Sequence, residues 1–82
     1  MDDWEIRTRL QNHFPQRVRA HRAKVLGQAI ASGAPLSLAR NAADAETASH
    51  YRRRLADFCK DYPQHSALAR RVARDNIKGF RA

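Results

Sequence analysis

With a single cysteine, Cys59, the chain can form no intramolecular disulfide, and a reducing compartment is expected. Glycine is reduced to three residues that nowhere cluster, which excludes a glycine-rich phosphate loop. No apolar run approaches the length of a membrane span. The opening Met1-Asp2-Asp3-Trp4-Glu5 is acidic and lacks the apolar stretch of a signal peptide, so a cytoplasmic protein away from membranes is expected. Large hydrophobes are also scarce: apolar residues make up 43% of the chain, but many are Ala. One small core, and hence one domain over residues 1–82, is all they can build. Trp4, Ile6, Leu10, Phe14, Val18, Ile30, Leu36, Leu38, Tyr51, Leu55, Phe58, Leu68, Val72, Ile77 and Phe80 are among the residues available to it.

Signatures of chemistry are missing as well. His13, His21, His50 and His65 are scattered, and there is no Cys-x-x-Cys or His-x-x-x-His pair, which argues against zinc. Paired acids for glycosidase-type work are absent. Cys59 falls on an apolar stripe, where a free cysteine behaves as a small hydrophobe. No enzyme, metal, cofactor or small-molecule substrate is expected.

Negative charge is the last shortage. Eight Asp and Glu face sixteen Lys and Arg, for a net charge of +8 and a pI near 11.1, and thirteen of the cations are Arg. Like charges repel in a compact state, so an excess of this size calls for a use outside folding. Arg presents a planar fork that pairs bidentately with phosphate and stacks on bases. A polyanion, and nucleic acid first, is the partner class this implies.

The chain reads as mainly α. Asp2 or Asp3 caps a first helix carrying Ile6, Leu10 and Phe14, which Pro15 ends or re-initiates. A second segment runs from Gln16 to about Ser32, with Val18, Val25, Leu26, Ala29 and Ile30 on one side and Arg17, Arg19, Arg22 and Lys24 on the other. Ser32-Gly33-Ala34-Pro35 is a turn. Leu36–Ala43 suits a short helix. Asp44 or Thr47 then caps a long helix, about Ala45 to Tyr62, with Tyr51, Leu55, Phe58 and Cys59 inward and Pro63 as its stop. Leu68 and Val72 suit a last helix, and Ile77 and Phe80 are open to either helix or strand. Leu38–Leu55 also reads loosely as a helix-turn-helix, although its Arg52, Arg53 and Arg54 lie deep in what would be the recognition helix. An all-α bundle with such a motif, serving as a small DNA-binding regulator, is the alternative. A basic adaptor for an acidic protein is a third reading.

Several segments resemble the ProQ/FinO family of bacterial RNA chaperones. Its long-helix motif is matched by Thr47-Ala48-Ser49-His50-Tyr51-Arg52-Arg53-Arg54-Leu55-Ala56-Asp57-Phe58-Cys59, followed by Ala67-Leu68-Ala69 and Arg74-Asp75-Asn76-Ile77-Lys78-Gly79. Leu10-Gln11-Asn12-His13-Phe14-Pro15 matches its opening, and Val25-Leu26-Gly27-Gln28-Ala29-Ile30 falls where it has a strand. The resemblance implies a mainly α domain with a small β element, Leu26–Ile30 against Ala73–Ile77. It also implies binding of structured RNA, a hairpin with a single-stranded 3′ tail, in post-transcriptional regulation. By the same resemblance Arg74 and Arg52, with Arg53 beside it, contact the RNA backbone, as does Lys24 or Arg22. Thr47, at the start of the long helix, would present free backbone N–H groups to a phosphate, and Tyr62 would stack on an unpaired base. Against these stand plainer roles. Thr47 suits a cap, Tyr62 a core edge, and consecutive Arg52, Arg53 and Arg54 cannot share one helix face. Arg70, Arg71, Lys78 and Arg81 read as a solvated basic face, with Arg81 peripheral to the site.

Overall fold

The structure, a computed structural model, describes residues 2–81. Four α-helices make it up: α1 (Asp3–Thr8), α2 (Phe14–Ala31), α3 (Leu36–Asp61) and α4 (Ser66–Asn76). A π-helical segment, Arg9–His13, joins α1 to α2, and a single 3-10 turn, Pro63–His65, leads into α4. The mainly α expectation holds, and no strand occurs among the described residues.

The first helix starts as the sequence suggests: the Asp2 carboxylate accepts the Glu5 N–H at 2.8 Å. Pro15, however, does not stop it. Proline has no N–H to give the carbonyl four residues back, and its ring collides with that carbonyl in a regular α turn. The π segment just upstream absorbs the mismatch, with the Phe14 N–H reaching the Arg9 carbonyl five residues back. The helical run from Asp3 to Ala31 therefore continues and accounts for the 45 Å long axis, at about 1.5 Å per residue.

The turn after α2 is a Schellman motif. Ala34 N–H bonds the Ala29 carbonyl at 3.1 Å and Gly33 N–H the Ile30 carbonyl at 3.0 Å. Gly33 sits at φ 95°, the left-handed region glycine tolerates. The chain then returns as α3, antiparallel to α2, as the pairings Phe14–Tyr51, His21–Glu46 and Arg22–Asp44 require.

Residues Leu36–Asp61 contain neither Gly nor Pro, so nothing breaks the helix there. The expected short helix and long helix are one, Asp44 and Thr47 lie inside it instead of capping it, and the turn needed for a helix-turn-helix within Leu38–Leu55 is absent. The small β element is also corrected. Leu26–Ile30 belong to α2 and Ala73–Asn76 to α4, while Ile77 alone turns extended, at φ −119° and ψ 113°. The reason is visible in the spacing. Val25, Leu26, Ala29 and Ile30 recur at intervals of three and four, which fits a helix packed on α3 and gives a strand no clean alternation.

α4 folds back over α3 and the π segment, and Ile77 and Phe80 close the core. His65, 3% exposed, bonds Asp3 at 3.1 Å and ties the start of α4 to α1. One cluster of buried residues runs from Ile6 and Leu10 through Tyr51, Leu55 and Cys59 to Leu68, Val72, Ile77 and Phe80; Phe58 packs half-buried against it. The cluster stops at Val18 and Ala48. Toward the hairpin turn α3 buries only small residues, Ala39 and Ala43, and the end of α4 lies beside Ser37, Arg40 and Asn41. Ile30, Leu36 and Leu38 are exposed there, as is Trp4 at the opposite end, contrary to their assignment to the core.

Candidate nucleic-acid interface

Of the sixteen Lys and Arg side chains, fifteen are exposed and only Arg22 is half-buried. Among the described residues Arg22 is also the one Lys or Arg that meets a carboxylate, bonding Asp44 at 2.6 Å. The positive charge therefore stands on the surface with little internal neutralisation, as a polyanion-binding surface requires.

α4 supplies the densest part. Its Leu68, Ala69, Val72 and Ala73 face the core, which leaves Arg70, Arg71 and Arg74 outward. Arg70 and Arg74 are one turn apart on the same face. Next to Arg70, a shallow groove of about 170 Å³ is lined by Arg52, Arg81, Leu55, Ala56, Cys59 and Phe80 as well. Arg52 from α3, Arg70 from α4 and Arg81 from the tail are thus brought together. Arg81 belongs to this cluster and is not peripheral: burial of Phe80 draws the tail in and sets the next residue against α3.

A second groove, about 470 Å³, lies where α1, α2 and the end of α3 meet. Phe14, Phe58 and Tyr62 form its aromatic walls, and Arg9 and Arg17 its cationic ones, with His13 beside them. Tyr62 is half-buried, with its ring centroid 5.0 Å from that of Phe58. Tyr62 thus sits at the edge of the core and also borders the groove.

The remaining sites separate. Lys24 and Arg53 are exposed, on α2 and α3, and line neither of these two grooves nor the cleft at Arg22. Arg22 lines a cleft of about 460 Å³ with Arg40, Lys78 and its partner Asp44. Thr47 is 2% exposed and its hydroxyl donates to the Ala43 carbonyl at 2.7 Å inside α3. A residue in mid-helix has no free N–H groups around it, so the phosphate site expected at Thr47 does not exist.

Sequence reasoning missed Arg9 and Arg17 because a helix ending at Pro15 separates them; a helical run continuing through it places them about two turns apart on one groove. It missed a further cluster as well. His21 of α2 meets Glu46 of α3, and the His21 and His50 rings stack with centroids 3.9 Å apart and planes at 20°. Tyr51 stands edge-on to both rings. Burial of the His50 ring, then the charges of His21 and Arg54, hold its pKa below the ordinary imidazole value, with Glu46 opposing them. Burial likewise raises the Tyr51 phenol above its usual value. The spacing Glu46–His50, one turn on a helix, was present in the sequence; the approach of His21 required the hairpin register.

No protein family, no curated protein and no solved structure matches this chain.

Proposed function

We propose that the chain is a non-catalytic RNA-binding protein that recognises structured RNA through its Arg-rich surface. The observation that carries this reading is the grouping of Arg52, Arg70 and Arg81 at one groove, continued along α4 by Arg71 and Arg74, with none of the five meeting a carboxylate among the described residues. Guanidinium groups so placed make charge-assisted, bidentate hydrogen bonds to phosphates. An A-form stem hides its base edges in a deep major groove and offers phosphates and 2′-hydroxyls, for which Arg is suited. The Phe58–Tyr62 groove, edged by Arg9 and Arg17, supplies what an unpaired segment needs: an aromatic face for a base and cations for its backbone. Together the two surfaces suit a hairpin with a single-stranded 3′ tail, the substrate of an RNA chaperone in post-transcriptional regulation. The buried lone thiol of Cys59 suits the cytoplasm. No helix among the described residues is long and apolar enough to cross a membrane.

This proposal rests on the charge and the grooves of this chain and carries over neither the strands of the ProQ/FinO fold nor its helix-terminal phosphate site. Competition binding tests it. A tailed RNA hairpin should displace itself from the protein far more effectively than blunt duplex DNA of equal charge does. A preference for duplex DNA would favour a DNA-binding regulator. Loss of all nucleic-acid binding at moderate salt would favour an adaptor for an acidic protein.

A further inference from the structure

The cluster between α2 and α3 has a chemistry that RNA binding does not use. Glu46 and His50 are one turn apart on the same face of α3, and His21 reaches them from α2. One ligand atom from each lies within 4.8 Å of the other two. We propose that His21, Glu46 and His50 form a binding site for one divalent transition-metal ion of the zinc class.

Two imidazoles and a carboxylate are a donor set that zinc takes when one coordination position is left to water. Here that position faces solvent, because Glu46 is exposed while both rings are half-buried. Bonds of about 2.1 Å in tetrahedral geometry put donors about 3.4 Å apart, so the most widely spaced pair has to close by roughly an ångström while His21 and Glu46, already in contact, move slightly apart. Side-chain rotation supplies that without moving either helix. The His50 ring stacks on His21 and bonds no carboxylate, so its lone pair is free, while His21 Nε2, which meets the Glu46 carboxylate, gives up the proton it shares there when the ion binds. Tyr51 packs edge-on against both rings and restricts their tilt. The carboxylate offsets part of the ion's charge, in a region otherwise rich in cations. A bound ion would add a link between α2 and α3 where the buried residues of α3 are small, Ala43, Thr47 and Ala48.

The purified full chain, stripped with chelator, is titrated with Zn²⁺ by calorimetry and with Co²⁺ by visible absorption. Thermal unfolding is followed with and without Zn²⁺. One ion per chain, tetrahedral Co²⁺ bands and a raised Tm are expected. Glu46→Gln, at an exposed position that leaves folding intact, should weaken binding on the order of tenfold or more. His21→Ala and His50→Ala should remove the Co²⁺ bands, and His13→Ala should leave the bands as they are. Absence of heat, bands and thermal shift at millimolar Zn²⁺ overturns the site. So does unchanged affinity in Glu46→Gln and His50→Ala, which would mean that the ion sits elsewhere.

Discussion

Arg22 on α2 bonds Asp44 on α3 through its Nε at 2.6 Å, and this joins two residues that sequence reasoning gave separate tasks, RNA contact and helix cap. Asp44 is largely covered and Arg22 is not, so the pair sits between a buried and a surface ion pair in worth. Arg22→Ala should lower stability by roughly 1 kcal/mol, the upper end for an exposed pair, and leave RNA affinity nearly unchanged. Denaturant unfolding and hairpin binding on the same sample check this. A loss of affinity at unchanged stability would instead make Arg22 an RNA contact.

The hairpin turn gives a second expectation. Gly33 has open space where a Cβ would go, but its φ of 95° is one that other residues resist. Gly33→Ala should therefore destabilise by about 1–2 kcal/mol through backbone strain alone. Gly27, also with open space but inside α2, provides the contrast: Gly27→Ala should stabilise by about 0.5–1 kcal/mol. Chemical denaturation of the two variants reads both signs.

Tyr62 tests the aromatic groove. Tyr62→Ala should cost about 1–3 kcal/mol of affinity for single-stranded RNA, the range for one stacked base. Tyr62→Phe should keep most of it, because stacking uses the ring and not the hydroxyl. Anisotropy titrations with one short unpaired RNA make the comparison. Unchanged affinity in Tyr62→Ala would remove the groove from the interface.

The parts of this fold that could be read from the sequence are those set by local chemistry. The Asp2 cap, the Ser32–Pro35 turn, the inward Tyr51, Leu55 and Cys59 and the stop before Pro63 follow from capping, glycine, periodicity and proline, each acting over a few residues. The errors arose where a nonlocal term outweighed a local signal. Pro15 is tolerated because a widened turn and packing against α3 keep the helix going. Asp44 and Thr47 look like caps, yet Asp44 is held by Arg22 across the hairpin and Thr47 satisfies its hydroxyl within α3. Trp4 and Leu38 were assigned to the core by type, but three short layers of helix leave no element to cover them. The excess of positive charge was legible from composition alone. The grouping of Arg52 with Arg70 and Arg81 was not, since it depends on how α4 and the tail fold back.

The central claim is that a defined Arg surface on α4 reads the RNA backbone, and the most direct measurement is the salt dependence of tailed-hairpin binding for wild type, Arg70→Ala/Arg74→Ala and Arg19→Ala. Each phosphate contact contributes a slope of roughly 0.9 in duplex and 0.7 in single strands to the log–log plot. Wild type should show a slope of several units. The double variant should lose nearly two of them, with each Arg removed costing about 1–3 kcal/mol at low salt, and helical content should stay unchanged because both side chains are exposed. Arg19→Ala, on an exposed part of α2 away from α4's groove, should change little. A flat salt dependence, or a loss from Arg19→Ala of half or more of that from the double variant, would contradict the account, since binding would then be absent or spread over the whole charge of the chain.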